Sequence, residues 1–130
     1  MRLIGRLFFI IYNFEMHKIF KMPVADVYVH YVQKVERKNR TETELLKVIS
    51  WLTGFDEKSV KGHLKAGTTF REFFKAAKLN KNAKLITGLI CGVRIEEIED
   101  PLMRKIRYLD KLVDELARGR AMDKILRTGN

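Results

Sequence analysis

The strongest constraint on this chain is the stretch that opens at Asp100. Aspartate is a favoured helix N-cap, and proline at the first helical position leaves no amide unsatisfied and has a backbone angle that is already helical, so Asp100 and Pro101 together mark a helix start. Behind them Leu102, Ile106, Leu109, Val113 and Leu116 recur at steps of four and three, the spacing that draws one apolar stripe along a helix. Glu96, Glu97, Glu99 and Asp100 gather before the start and Arg118 and Arg120 close the end, the charge order that a helix dipole favours. Gly119 then ends or kinks the helix. So long a stripe has to be buried. The segment therefore predicts a core helix lying across its neighbours, with the seam of a homodimer as the other use of the same stripe.

The rest of the chain from Met16 onward has the same helical period. Pro23 suits a helix entry, and Val24, Val27, Tyr28, Tyr31, Val32 and Val35 form one stripe to about Lys38. Thr41 with Glu44 three places on is a capping box ahead of Leu45, Val48, Ile49 and Leu52, and Gly54 stops that helix. Asp56 caps a short helix carrying Val60 and Leu64 and ending at Gly67; Thr69 with Glu72 makes a second capping box ahead of Phe70, Phe73, Phe74 and Ala77. Three phenylalanines so close together predict core. Asn82 is placed to cap a helix running through Ile86, Leu89 and Ile90 to Gly92, with Ile95 and Ile98 on a short segment after it, and Met122, Ile125 and Leu126 follow Gly119. No alternating strand pattern competes after Met16, so the fold class predicted is all-α.

Two stretches share a layout that reads as helix, tight turn and helix: Ser50, Gly54, Phe55 and Val60 in the first, and Gly88, Gly92, Val93 and Ile98 in the second. Glycine reaches the left-handed conformation that closes a helix without a Cβ clash. Both are therefore expected to be helix-turn-helix-like units.

At 130 residues and 15.3 kDa the chain suits one domain with a single core. Its lone cysteine, Cys91, forms no internal disulfide, which removes any cysteine argument for secretion and favours the cytoplasm. The apolar run from Leu7 to Tyr12 is too short for a spanning helix and lacks the cleavage site of a signal peptide. Residues 1–15 are accordingly expected to be a hydrophobic N-terminal extension outside the domain, with the natural start at Met16, a single helical domain over 16–130, and no stable membrane insertion.

Catalytic and metal-binding constellations do not emerge. Cys91 lies near Arg94, where a thiolate beside a cation is a potential nucleophile, yet no histidine accompanies it and a buried structural cysteine is the expectation. His17, His30 and His63 fall on separate segments without zinc-ligand spacing. The acids of residues 96–100 fit helix-start electrostatics, and Trp51 shares a helix with Val48 and Leu52 as a core or groove residue. No catalytic residue, metal or cofactor is predicted.

Charge is the remaining lead. The chain carries 26 Lys and Arg against 16 Asp and Glu, a net +10. Residues 56–84 hold eight of those cations against three acids, half of the excess. Lys58, Lys61 and Lys65 share one helical face, as do Arg71, Lys75 and Lys78. Two adjacent helices would thus present a basic strip to phosphates. Of the two helix-turn-helix-like units, the first offers Lys58, Ser59 and Lys61 to a groove, whereas the second offers Glu96, Glu97, Glu99 and Asp100 and repels a polyanion. Residues that read bases are missing from the first, so binding there is expected to be weak, sequence-tolerant and salt-sensitive.

The runs Lys21-Met22-Pro23-Val24, Trp51-Leu52-Thr53-Gly54-Phe55-Asp56, Ile90-Cys91-Gly92-Val93-Arg94 and Pro101 through Leu112 carry a family resemblance. From Met16 to Arg127 the chain resembles the prokaryotic family known as domain of unknown function 2200. That resemblance implies a small orthogonal helix bundle and no assigned activity, cofactor or binding residue. Two functions are weighed: a module that binds nucleic acid or a protein partner through the basic face, and a small enzyme whose pocket gathers Arg94, Arg104, Arg107, Tyr108 and Asp110 around Cys91.

Overall fold

The computed structural model describes residues 16–128, so the expectation for residues 1–15 lies outside the described residues. After a helical turn at 16–20 come α1 (Val24–Glu36), α2 (Glu42–Thr53), α3 (Glu57–Ala66) and α4 (Phe70–Ala76). A 3₁₀ turn (Ala83–Leu85), strands β1 (Leu89–Ile90) and β2 (Val93–Arg94) and a second 3₁₀ turn (Ile95–Glu97) lead to the long α5 (Pro101–Ala117) and short α6 (Met122–Ile125).

The helix starts follow the local chemistry. Both halves of the capping box at α2 are present: Glu44 N donates to Thr41 Oγ1 at 3.1 Å and Thr41 N donates to the Glu44 carboxylate at 3.0 Å. Asp56 accepts from Ser59 N at 2.7 Å and Asp100 from Met103 N at 2.9 Å, with Pro101 first in its helix. At α4, Thr69 accepts from Glu72 N at 3.2 Å. Each such cap satisfies an amide that the helix itself leaves open.

Helix α5 is the centre of the molecule and packs on α1, α2, α4, α6 and β1. Its Ile106, Leu109, Leu112, Val113 and Leu116 are buried to 1% exposure or less, and each contributes roughly 1.5–3 kcal/mol through removal of apolar surface from water. Leu45, Val48, Ile49 and Leu52 from α2 and Phe70, Phe73 and Phe74 from α4 complete the same core. The stripe is thus put to its core-helix use at Ile106, Leu109, Val113 and Leu116, with Leu102 only half-buried at its start.

The largest departure from expectation is in residues 82–94. A helix from Asn82 to Gly92 is not formed. Instead β1 and β2 make an antiparallel hairpin with Leu89 opposite Arg94 and Ile90 opposite Val93. Its two loop residues, Cys91 (φ 52°) and Gly92 (φ 76°), are both left-handed, as a two-residue hairpin turn of type I′ requires. The glycine read as a helix terminator is thus a hairpin-turn glycine, and the second stretch is not a helix-turn-helix unit. The fold is predominantly helical with a small two-stranded sheet, not purely all-α. Ile86, Ile90, Ile95 and Ile98 are buried whichever local structure holds them, which is why a helical spacing over this segment was satisfied by an irregular one.

Candidate functional site

Helices α3 and α4 are joined by an aromatic stack that fixes the strip between them. Phe55 lies 4.7 Å from the His63 ring and 5.2 Å from Phe73, and His63 meets Phe73 edge-on at 5.4 Å. His63 Nδ1 is 3.0 Å from Thr68 Oγ1. This histidine is packing, and its polar edge is satisfied by the connecting turn. The turn is itself pinned from outside, since Val24 N donates to Thr68 O at 2.9 Å and Phe70 N to Met22 O at 3.0 Å.

On this frame Lys58, Lys61, Lys65, Arg71, Lys75 and Lys78 are all exposed. Lys61 pairs with Glu57 at 3.0 Å, both half or more exposed, and the Arg71 guanidinium stands 5.2 Å over the Phe20 ring. Lys58, Lys65, Lys75 and Lys78 form no ion pair among the described residues. Elsewhere the arginines are mostly occupied: Arg40 by Glu44, Arg94 by Glu96, Arg107 by Asp110, Arg118 by Asp114, and Arg120 and Arg127 by Glu115. Asp56 sits in the strip with its carboxyl held below the usual range, first by the Ser59 amide it accepts from, so it stays an anion while serving its own helix.

The five residues expected around Cys91 do not converge on it as a set. Cys91 is exposed at the hairpin tip, which corrects the buried, structural reading. Arg94 is exposed and 3.7 Å from Glu96; Arg104 donates through Nε and Nη2 to the Ile98 carbonyl; Tyr108 is buried. Only Arg107 and Asp110 meet, at 2.9 Å. Asp110 also accepts from the Tyr31 hydroxyl on α1. Burial, then the Asp110 charge, hold the Tyr31 phenol protonated well above its ordinary range.

Two features escaped the sequence. The first is a basic concavity of about 770 Å³ between the ends of α1 and α5, with Lys34, Arg37, Lys38 and Arg118 around Asp114. Asp114 accepts from Lys34 at 3.2 Å and Arg118 at 2.9 Å. The second is a cavity of about 550 Å³ walled by the helical turn at 16–20, α1 and α5, which Arg107 lines. Charge runs such as Lys34 to Lys38 were visible, but their partners stand some 80 positions away, and only tertiary packing joins them.

Among the described residues no helix is long and apolar enough to cross a membrane, and no group of three or more His, Cys, Asp or Glu is placed to hold a metal ion. The architecture defines a small, predominantly helical protein built around one long core helix. The chain belongs to the family described as "Uncharacterized protein conserved in bacteria (DUF2200)", whose model matches residues 18–127. It is similar in structure to the crystal structure of uncharacterized protein SP1917, with 45% sequence identity, a TM-score of 0.80, and coverage of 84% of this chain and 90% of that one. Among curated proteins, none matches the sequence.

Proposed function

We propose that the protein is a binding module that engages the phosphate backbone of nucleic acid through the α3–α4 strip. The observation that carries this is the set of exposed lysines, Lys58, Lys65, Lys75 and Lys78, without a carboxylate partner among the described residues. A lysine free of a protein anion neutralises a phosphate, and so releases a counterion condensed on the nucleic acid, without first breaking an ion pair. Lys61 adds to them at small cost, because an exposed pair such as Lys61–Glu57 holds at most about 1 kcal/mol. The strip offers lysine points of charge in place of base-reading forks, so recognition is of backbone and not of sequence.

Neutralising about four to six phosphates gives duplex binding that weakens by about 10²–10³-fold between 50 and 200 mM salt. Fluorescence anisotropy with labelled 20-nucleotide DNA and RNA of two unrelated sequences checks this. The expected result is binding at 50 mM salt that is equal across sequences, collapses at 200 mM, and is lost in a Lys58→Glu, Lys65→Glu, Lys75→Glu variant. Arg37→Glu with Lys38→Glu, in the other basic concavity, leaves it in place. No binding at 50 mM salt, or loss through the Arg37 and Lys38 changes alone, overturns the reading.

A further inference from the structure

We propose that the cavity between the helical turn at 16–20, α1 and α5 is a site for a small carboxylate with an apolar body. It shares no residue with the basic strip and does not depend on it. Arg107 from α5 is a charged residue at its wall. Its Nη1 donates to Asp110 Oδ2 at 2.9 Å, while Nε is buried with no hydrogen-bond partner. Among the described residues Nη2 has no protein acceptor either. The hydrogens on Nε and Nη2 run parallel along one edge of the guanidinium, the fork that matches the two oxygens of a carboxylate.

Asp110 cannot turn away to another partner, because its other oxygen is taken by Tyr31. The guanidinium is therefore held at one end, with the Nε of its second edge unpaired. A buried donor without an acceptor destabilises the fold that carries it, and an anion on that edge removes the penalty. The cavity that Arg107 lines has a volume of about 550 Å³, within the range of small-molecule sites.

The walls set the rest of the ligand. Met16, Ile19, Met22, Val27 and Met103 are apolar, and three of them are unbranched methionines that adapt to an apolar body. Lys18 and His30 add polar positions, and Asp26 opposes excess negative charge. One fork, apolar walls and one opposing carboxylate fit a monoanion better than a doubly charged phosphate.

The test uses octanoate as the probe, titrated into the full chain by ¹H–¹⁵N NMR, with octylammonium and butyrate in parallel. The expected result is saturable shifts with octanoate and at least tenfold weaker binding of octylammonium, whose charge has the opposite sign, and of butyrate, which lacks the length. Arg107→Gln weakens octanoate at least tenfold. Val27→Trp and Met22→Phe each fill part of the cavity and lower affinity with Arg107 intact, so a folded form of either one decides the matter should Arg107→Gln fail to fold. Equal binding of octanoate and octylammonium, undiminished binding in the cavity-filling variants, or no octanoate shift at millimolar concentration overturns the proposal.

Discussion

Gly54 shows how one residue joins a local and a distant requirement. It closes α2 with φ 77°, where a side chain costs roughly 1–2 kcal/mol. A Cβ there would also stand 2.9 Å from the Lys78 carbonyl oxygen. The chain returns to that spot because Lys78 N donates to Thr53 O at 2.8 Å and Asn80 N to Leu52 O at 2.9 Å, completing carbonyls that the end of α2 leaves open. Gly67 ends α3 with φ 69° but has open space around it. Both positions impose the same conformation, and only one adds a clash with backbone. Gly54→Ala is therefore expected to lower stability in urea by about 3 kcal/mol, and Gly67→Ala by about 1 kcal/mol, the conformational part alone. Equal losses would show that the approach of Lys78 is without consequence. Gly54 was legible in the sequence as a terminator, while its contact with Lys78 was not, since nothing local announces which strand of chain passes a helix end.

At the scale of elements, legibility divides along the same line. The starts of α2, α3, α4 and α5 were readable because a cap is made by residues within three positions of one another. The β1–β2 hairpin was not, because strands of two residues leave no run for an alternating pattern to show itself. Cys91-Gly92 also lacks the asparagine that usually flags such a turn. Of the candidate sites, the lysine strip came from helical spacing alone, whereas the free edge of Arg107 needs α1 laid against α5.

That α1–α5 contact has its own signature in pH. Tyr31 from α1 donates to Asp110 on α5, and Tyr28 donates to Glu42 at 2.7 Å at the start of α2. Burial, followed by those carboxylate partners, pushes both phenols well above their ordinary value of 10. The native protein keeps these protons at pH values where the unfolded chain releases them, so their stabilising contribution is complete below pH 10 and is lost as pH climbs beyond it. Urea midpoints measured from pH 8 to 11 are expected to fall on the alkaline side, and less steeply in Tyr31→Phe and Tyr28→Phe. An alkaline fall that is identical in both variants would assign it to other groups.

The whole molecule is closed by a charge that most folds avoid. Glu115 on α5 is only 7% exposed, and two arginines from the chain's end converge on it: Arg127 through Nη1 at 2.6 Å and Nη2 at 2.7 Å, and Arg120 at 2.8 Å. The same two residues hold more of the fold in place by their carbonyls, Arg127 O accepting from Asn82 at 3.1 Å and Arg120 O from Arg40 at 2.8 Å. The clamp thus gathers α5, α6, the start of α2 and the 3₁₀ turn before the hairpin. Taking a carboxylate out of water is unfavourable, and the two guanidinium groups offset that only while they remain. Arg127→Met strips Glu115 of its closer partner and leaves the half-exposed Arg120 to compensate, so the expected loss is about 3 kcal/mol, near the lower end for a broken buried pair. Glu115→Leu added to Arg127→Met removes the stranded charge and is expected to recover more than half of that loss in urea unfolding. A double variant as unstable as the sum of the two single ones would mean that Glu115 and Arg127 act separately, and that the end of the chain is held by α6 packing alone.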